Sequence, residues 1–216
     1  MQYSTSEISH LTSHQLNTFF PLGESVFLNE SIVNLAIDQT RFNISKITAW
    51  MHGDFNPLIT WQYATYLYHL SRLCYLHNHE VQISDKIFCL NKMLNSLELF
   101  YKTLLPDPFF ISHTIGTVFA NASYSSHFVV HQNCTIGRSG NKIPKIMNSV
   151  VLFPGSSIIG DCKIGSNVVV RPGVQVVNTN IPSNSVVSYS SGGSYDIKPL
   201  DYLYTNHYFE SSAYHS

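Results

Sequence analysis

A six-residue period in the second half of the chain constrains its fold more than any other feature. Large aliphatic residues fall at Leu152, Ile158, Ile164, Val170 and Val176, and small or branched residues Ser156, Cys162, Val168 and Val174 follow the first four of them by four positions. A helix repeats every 3.6 residues and a strand every two, so neither produces this pattern. Upstream the same period runs through Tyr124, Val130 and Ile136, and again through Leu99, Leu105 and Ile111, with the two phases differing by one residue near Ala120 to Ser123. Between Ile136 and Ile146 the phase slips by four residues, so GRSGNKIPK must hold a loop that projects from the repeat.

Six-residue periodicity fits a triangular coil in which each hexad supplies a short strand and a corner, and three hexads close a turn. The aliphatic residue points inward. Gly137, Gly160, Asp161, Gly165 and Asn167 follow the aliphatics and suit corners, because these residue types tolerate unusual backbone angles. Successive coils would stack at about 4.8 Å, placing residues 18 apart one above another. Five coils fit between Leu99 and Val187.

The N-terminal half reads differently. Trp61, Ala64, Tyr68, Leu73 and Leu76 recur at helical spacing, with Asp54 and Asn56 before Pro57 offering cap chemistry. A shorter helix is expected from about Ser84, where Ser84 and Asp85 could cap Ile87, Leu90, Met93 and Leu94, and VFLNESIVNLAI carries a weaker helical signal. The expected organisation is therefore α+β: a helical domain over 1–96, a coil domain over 97–188 and a tail over 189–216, in which SYSSGGS reads as a linker.

Lys plus Arg total 12 against 13 Asp plus Glu, which argues against nucleic acid as a partner. Cys74, Cys89, Cys134 and Cys162 lack any C-x-x-C pairing and sit among apolar or small residues, as reduced core thiols do. The N-terminal residues do not read as a signal peptide, and no stretch approaches the roughly 20 apolar residues of a membrane span, so a cytoplasmic location is expected. Charged residues make up only 12% of the chain while Tyr and Phe number 13 each, so part of the surface is expected to be covered by other subunits.

The segment ISHTIGTVFANASYSSHFVVHQNCTIG, then PKI, then LFPGSSIIGDCKIGSNVVV, resembles the serine acetyltransferase branch of the left-handed β-helix acyltransferases. The resemblance implies a left-handed parallel β-helix, acetyl-CoA as co-substrate, a homotrimer that could pair through its helical domains, and transfer of acetyl to a small-molecule or sugar hydroxyl. It places the catalytic base on His113 and a carboxylate that orients it on Glu98, with Asp107 as the alternative. The base would remove the acceptor proton while backbone donors stabilise the oxyanion. Donor contacts are expected from Gly137, Gly155 and Ser156, where the coil allows close approach, and from the basic residues Arg138, Lys142, Lys145 and Arg171.

Two substrate positions depart from the serine branch. An aspartate before the catalytic histidine is Ser112 here, and a histidine before PKI is Ile143. A site that loses its partner for a cationic amine loses recognition of that amine, so the acceptor is expected to have changed, with a sugar hydroxyl in surface-polysaccharide synthesis as one candidate. The branch commonly ends in an isoleucine that docks the next enzyme of cysteine synthesis. The sequence here ends on an aromatic tail and Ser216, so that partner is not expected. True serine acetylation, a non-catalytic scaffold, and a metal site built from His113, His127 and His131 stand as alternatives, although no metal is expected.

Overall fold

The computed structural model describes residues 3–48, 53–78 and 80–210. It opens with four helices, α1 (Thr5–Phe19), α2 (Glu30–Lys46), α3 (Thr60–Asn78) and α4 (Val81–Asn95). α1 lies ahead of the expected helical region. Its start was readable as a capping box: Ser4 Oγ accepts from the Glu7 backbone N–H, and Glu7 Oε2 accepts from that of Ser4. α4 begins at Val81, so Ser84 and Asp85 lie within the helix rather than capping it, and Ser84 Oγ donates back to the Glu80 carbonyl. Trp61, Ala64, Tyr68 and Leu73 are buried as their spacing predicts, whereas Leu76, Met93 and Leu94 face outward. Cys74, Cys134 and Cys162 are buried free thiols; Cys89, expected in the core, is exposed.

Ser96 closes α4 in the left-handed region at φ 51°, and the coil begins at the next residue. Its strands are β1 (Leu97–Leu99) and β2 (Phe109–Ile111) in the first turn, and β3 (Thr117–Phe119) and β4 (Phe128–Val130) in the second. The third turn holds β5 (Thr135–Gly137), β6 (Lys145–Ile146) and β7 (Val151–Leu152), and the fourth β8 (Ser157–Ile159), β9 (Lys163–Ile164) and β10 (Val168–Val170). β11 (Gln175–Val177) and β12 (Ser185–Tyr189) complete the fifth, and β13 (Tyr195–Pro199) follows. Parallel pairing stacks the turns into three faces, β1-β3-β5-β8-β11, β2-β4-β7-β10-β12 and β6-β9. This is a left-handed parallel β-helix of about five turns behind a helical domain.

Register records every irregularity of the repeat. Val151 pairs with Val169, Ser157 with Gln175 and Lys145 with Lys163, each 18 residues apart. Across the inserted loop Thr135 pairs with Ser157, 22 apart, which is the expected slip of four. Phe109 pairs with Phe128, 19 apart, matching the expected net shift of one. The shift does not arise near Ala120 alone. The inward residue after Ile111 is Phe119, eight positions on, and the next is Tyr124, five on; all three are buried. The turn after β2 is therefore two residues longer than a regular corner, and one residue is removed afterwards.

The face formed by β2, β4, β7, β10 and β12 is apolar on both sides. Phe110, Val129, Val151 and Val169 point away from the coil interior yet remain buried, packed into one cluster with Val33, Ile37, Trp61, Tyr66 and Phe209. Covering each such side chain is worth about 1.5–3 kcal/mol relative to exposure. The inner cluster runs from Leu97 to Val187 and takes in Ala64 and Tyr68 of α3. His127, Ser149, Asn167 and Asn184 occupy one corner in successive turns, all with φ between 56° and 62°, and Asn167 Nδ2 donates to Asn184 Oδ1 at 3.0 Å.

The segment read as a linker is a hairpin turn. Ser190 N–H donates to the Ser194 carbonyl between the antiparallel β12 and β13. The chain then crosses the covered face and returns to the helical domain, where Phe209 bridges Ile47 and the Thr48 N–H donates to the Tyr208 carbonyl. Residues 211–216, with Tyr214 and Ser216, lie outside those described.

Candidate active site

The long turn after β2 carries Ser112, His113, Thr114 and Ile115. Ser112 N–H still follows the ladder, donating to Val130 at 2.9 Å, and Gly116 ends the turn at φ 69°. A Cβ on Gly116 would meet the end of the Asn133 side chain, which can move aside, so it is the left-handed angle that favours glycine here. The two additional residues carry the turn toward the start of α3. Between them lies a cavity of about 150 Å³ lined by Thr60, Trp61, Ser112, His113, Thr114 and Ile115. The His113 ring is exposed and makes no hydrogen bond within the described chain, leaving both ring nitrogens available.

Neither expected orienting carboxylate reaches it. Glu98 projects outward from β1, and its Oε2 lies 2.9 Å from Lys92 Nζ at the end of α4. Asp107 accepts from Asn43 Nδ2 at 2.9 Å, and Asn43 Oδ1 accepts from the Phe109 N–H at 3.0 Å. Burial of its inward end pushes the Asp107 carboxyl up to about 6, even though the residue keeps solvent contact on its other side. Asn43 thereby joins α2 to the start of β2, four residues before His113.

His131, one turn below, is held by Tyr208 Oη at 3.0 Å from Nε2 and stacks on Phe153 at 5.1 Å. Burial, and then the neighbouring His113, lower its pKa, which favours a neutral ring. His127 packs edge-on against Phe209 in its left-handed corner, a backbone region in which histidine is enriched. The three histidines therefore face different partners, and among the described residues no group of three or more His, Cys, Asp or Glu is arranged to hold a metal.

The expected donor-binding residues separate onto different parts of the coil. Gly155 and Arg171 stack on the His113 corner: Gly155 N–H donates to Gln132, and Gly173 N–H to Pro154. Ser156 is fully buried beside Cys134 and faces the interior, which removes it as a ligand contact. Gly137 lies in β5, and Arg138, Lys142 and Ile143 occupy the exposed inserted loop, where Lys142 pairs with Asp161 at 3.2 Å. Ile143 does not line the His113 cavity.

Lys145 belongs to another feature that the sequence only partly disclosed. Together with Met147, Lys163, Ile164, Gly165 and the segment Asn180–Ser183 it lines an open groove of about 550 Å³ on the third face. Stacking of Lys145 on Lys163 places two ammonium groups along an apolar floor. Gly165 is required here by close approach: a Cβ would fall 2.4 Å from Ser183 N. The signal for Lys163 and Gly165 was present, since Lys163 lies 18 residues after Lys145. The groove and the His113 cavity share no residue and occupy different corners of the coil.

A family model described as bacterial transferase hexapeptide (six repeats) matches residues 143–178, the regular part of the coil. Serine acetyltransferases are among the proteins this chain resembles. That of Synechococcus elongatus is 30% identical over 125 residues, covering 52% of this chain and 50% of its own, so the chain spans about half the length of the curated relative it matches. A serine acetyltransferase solved in complex with cysteine shares the fold at a TM-score of 0.72 and 15% identity, over 96% of this chain and 84% of that one. The Brucella abortus enzyme does so at 0.67 and 17%, over 92% and 85%. A serine acetyltransferase in complex with CoA does so at 0.68 and 16%, over 92% and 86%.

Proposed function

We propose that this protein is an acetyl-CoA-dependent O-acetyltransferase that acts on the hydroxyl of a small molecule or sugar. The observation that carries the reading is the lengthened turn that presents His113, with neither ring nitrogen hydrogen-bonded among the described residues, to a cavity of about 150 Å³. The similarity to serine acetyltransferases, one of them solved with CoA, supports the donor. Neutral His113 would take the proton of the acceptor hydroxyl as its oxygen attacks the acetyl carbonyl. Collapse of the tetrahedral intermediate then expels CoA thiolate, which recovers that proton from the imidazolium.

The groove suits the donor: Lys145 and Lys163 would meet its phosphates, and its apolar floor would take the pantetheine arm. Because cavity and groove lie on different corners of one chain, this reading requires a second copy to bring its groove to the first chain's His113, as a trimer would, with pairing of trimers through the helical domain as a further level of assembly. Glu98 could orient His113 only by leaving Lys92.

The test is thiol release from acetyl-CoA against serine, free sugars and nucleotide-activated sugars. His113→Ala is expected to reduce turnover by roughly 10²–10⁴-fold, the range for loss of a general base, with assembly unchanged. Near-wild-type turnover in that variant sinks the assignment. Serine acetylation is the second reading, favoured by the named relatives, and turnover on serine alone among the acceptors would establish it.

A further inference from the structure

Thr60 and Trp61 start α3, an element with no sequence link to the repeat, yet they form one wall of the His113 cavity. Among the described residues the lining holds three hydroxyls (Thr60, Ser112 and Thr114), one indole, one aliphatic side chain and the His113 imidazole, and no carboxylate, ammonium or guanidinium. The two carboxylates that the sequence pointed to are held elsewhere, Glu98 by Lys92 and Asp107 by Asn43. Thr114 Oγ1 is buried and makes no hydrogen bond within the described chain. Leaving such a hydroxyl unpaired is costly, and a polar group entering the cavity would recover that cost. Trp61 is fixed in orientation by Phe110, edge-on at 5.3 Å.

We propose that Thr60 and Trp61 determine acceptor specificity, and that the cavity admits an uncharged carbinol of a polyol or sugar in preference to a zwitterionic amino acid. This rests on the reading of His113 as general base. A cavity of about 150 Å³ corresponds to roughly five water volumes, enough for one hydroxyl-bearing carbon and its neighbours. The remainder of the acceptor extends past Ile115, which is 65% exposed. An ammonium group placed here would be desolvated against hydroxyls and an indole without a counter-charge, a loss that neutral acceptors avoid.

The experiment compares kcat/KM for L-serine with that for glycerol and a methyl hexoside, in wild type, Thr60→Asp and Trp61→Phe, with acetyl-CoA affinity measured alongside. Thr60 is exposed in the first turn of α3, where a carboxylate also complements the helix dipole, so Thr60→Asp is expected to fold. The wild type is expected to favour the neutral acceptors. Thr60→Asp should shift the serine-to-polyol ratio toward serine by at least about tenfold, the effect of one new charge-assisted contact. Trp61→Phe should reduce turnover on the neutral acceptors several-fold with donor affinity retained. Wild-type preference for serine overturns the proposal, and so does an unchanged ratio in Thr60→Asp with donor binding intact. No acetyl-CoA binding, or no His113-dependent thiol release, overturns the acetyltransferase reading and this proposal with it.

Discussion

Asn43 offers the sharpest test of how the helical domain positions the candidate base. Its amide is almost wholly buried and makes two bonds to the start of β2, accepting from the Phe109 N–H at 3.0 Å and donating to Asp107 at 2.9 Å. Asn43→Ala would leave the Phe109 N–H unpaired in a buried setting, at a cost of about 1–3 kcal/mol. The lost bond to Asp107 adds about 0.5–1 kcal/mol, discounted because that carboxylate keeps solvent contact. A cavity the size of the missing amide, roughly 40 Å³, adds about 1 kcal/mol. The expected total is about 2.5–5 kcal/mol. With a urea m-value of about 2 kcal/mol/M, the unfolding midpoint followed by tryptophan fluorescence should fall by about 1.2–2.5 M. Turnover should fall further than donor affinity, because β2 runs directly into Ser112 and His113, and small displacements of a reacting group are costly. Asn43→Asp separates the two bonds: it keeps an acceptor for Phe109 but sets a carboxylate against Asp107. That variant should be unstable at pH 7.5 and recover as pH falls toward 6, where Asp107 takes up its proton. A loss below about 0.5 kcal/mol in Asn43→Ala would show that coil register alone holds β2, and would refute the clamp.

Two further substitutions test the groove and the Asp107 carboxyl. Gly165→Ala puts a Cβ 2.4 Å from the Ser183 backbone, so adjacent turns must separate. The expected result is a loss of about 1–3 kcal/mol together with weaker acetyl-CoA binding, measured by urea unfolding and calorimetric titration. For Asp107, whose pKa rises from the ordinary 3.8 to about 6, the folded chain holds the proton more tightly than the unfolded chain does. Its contribution is therefore most favourable below pH 4, declines as pH rises through 4 to 6, and stays low above that. Asp107→Asn should remove this decline and raise stability at pH 7.5 by about 1 kcal/mol after discounting for solvent screening, as read from melting curves at pH 4 to 8.

Much of the coil was legible because its period is imposed by geometry. The 22-residue spacing of Thr135 and Ser157 is the four-residue slip seen between Ile136 and Ile146. The net shift of one upstream was also legible, but not its division into an insertion at the His113 turn and a deletion after it. Thr117 and Phe119 both fit an inward position, and only pairing of β3 with β1 and β5 selects Phe119. The runs FFI, FVV and VVV, apolar without alternation, marked a face buried on both sides. They did not reveal which elements cover it. The S-x-x-E start of α1 was legible too, because a capping box is local.

What remained hidden was long-range. Glu98 stands at the expected distance from His113 along the chain, but Lys92 takes its carboxylate because α4 ends beside β1. Ser156 turned inward, and Lys163 joined Lys145, for the same reason: inside or outside, and neighbour or stranger, are decided by stacking between turns. The sequence by itself determined the coil, its inserted loop and the helical first half, since these rest on periodicity and on contacts a few residues apart. Only the tertiary structure decided that α3 walls the His113 cavity, that Asn43 fastens β2, and that the tail returns to the helices, because each joins segments tens of residues apart whose meeting depends on burial rather than on any local pattern.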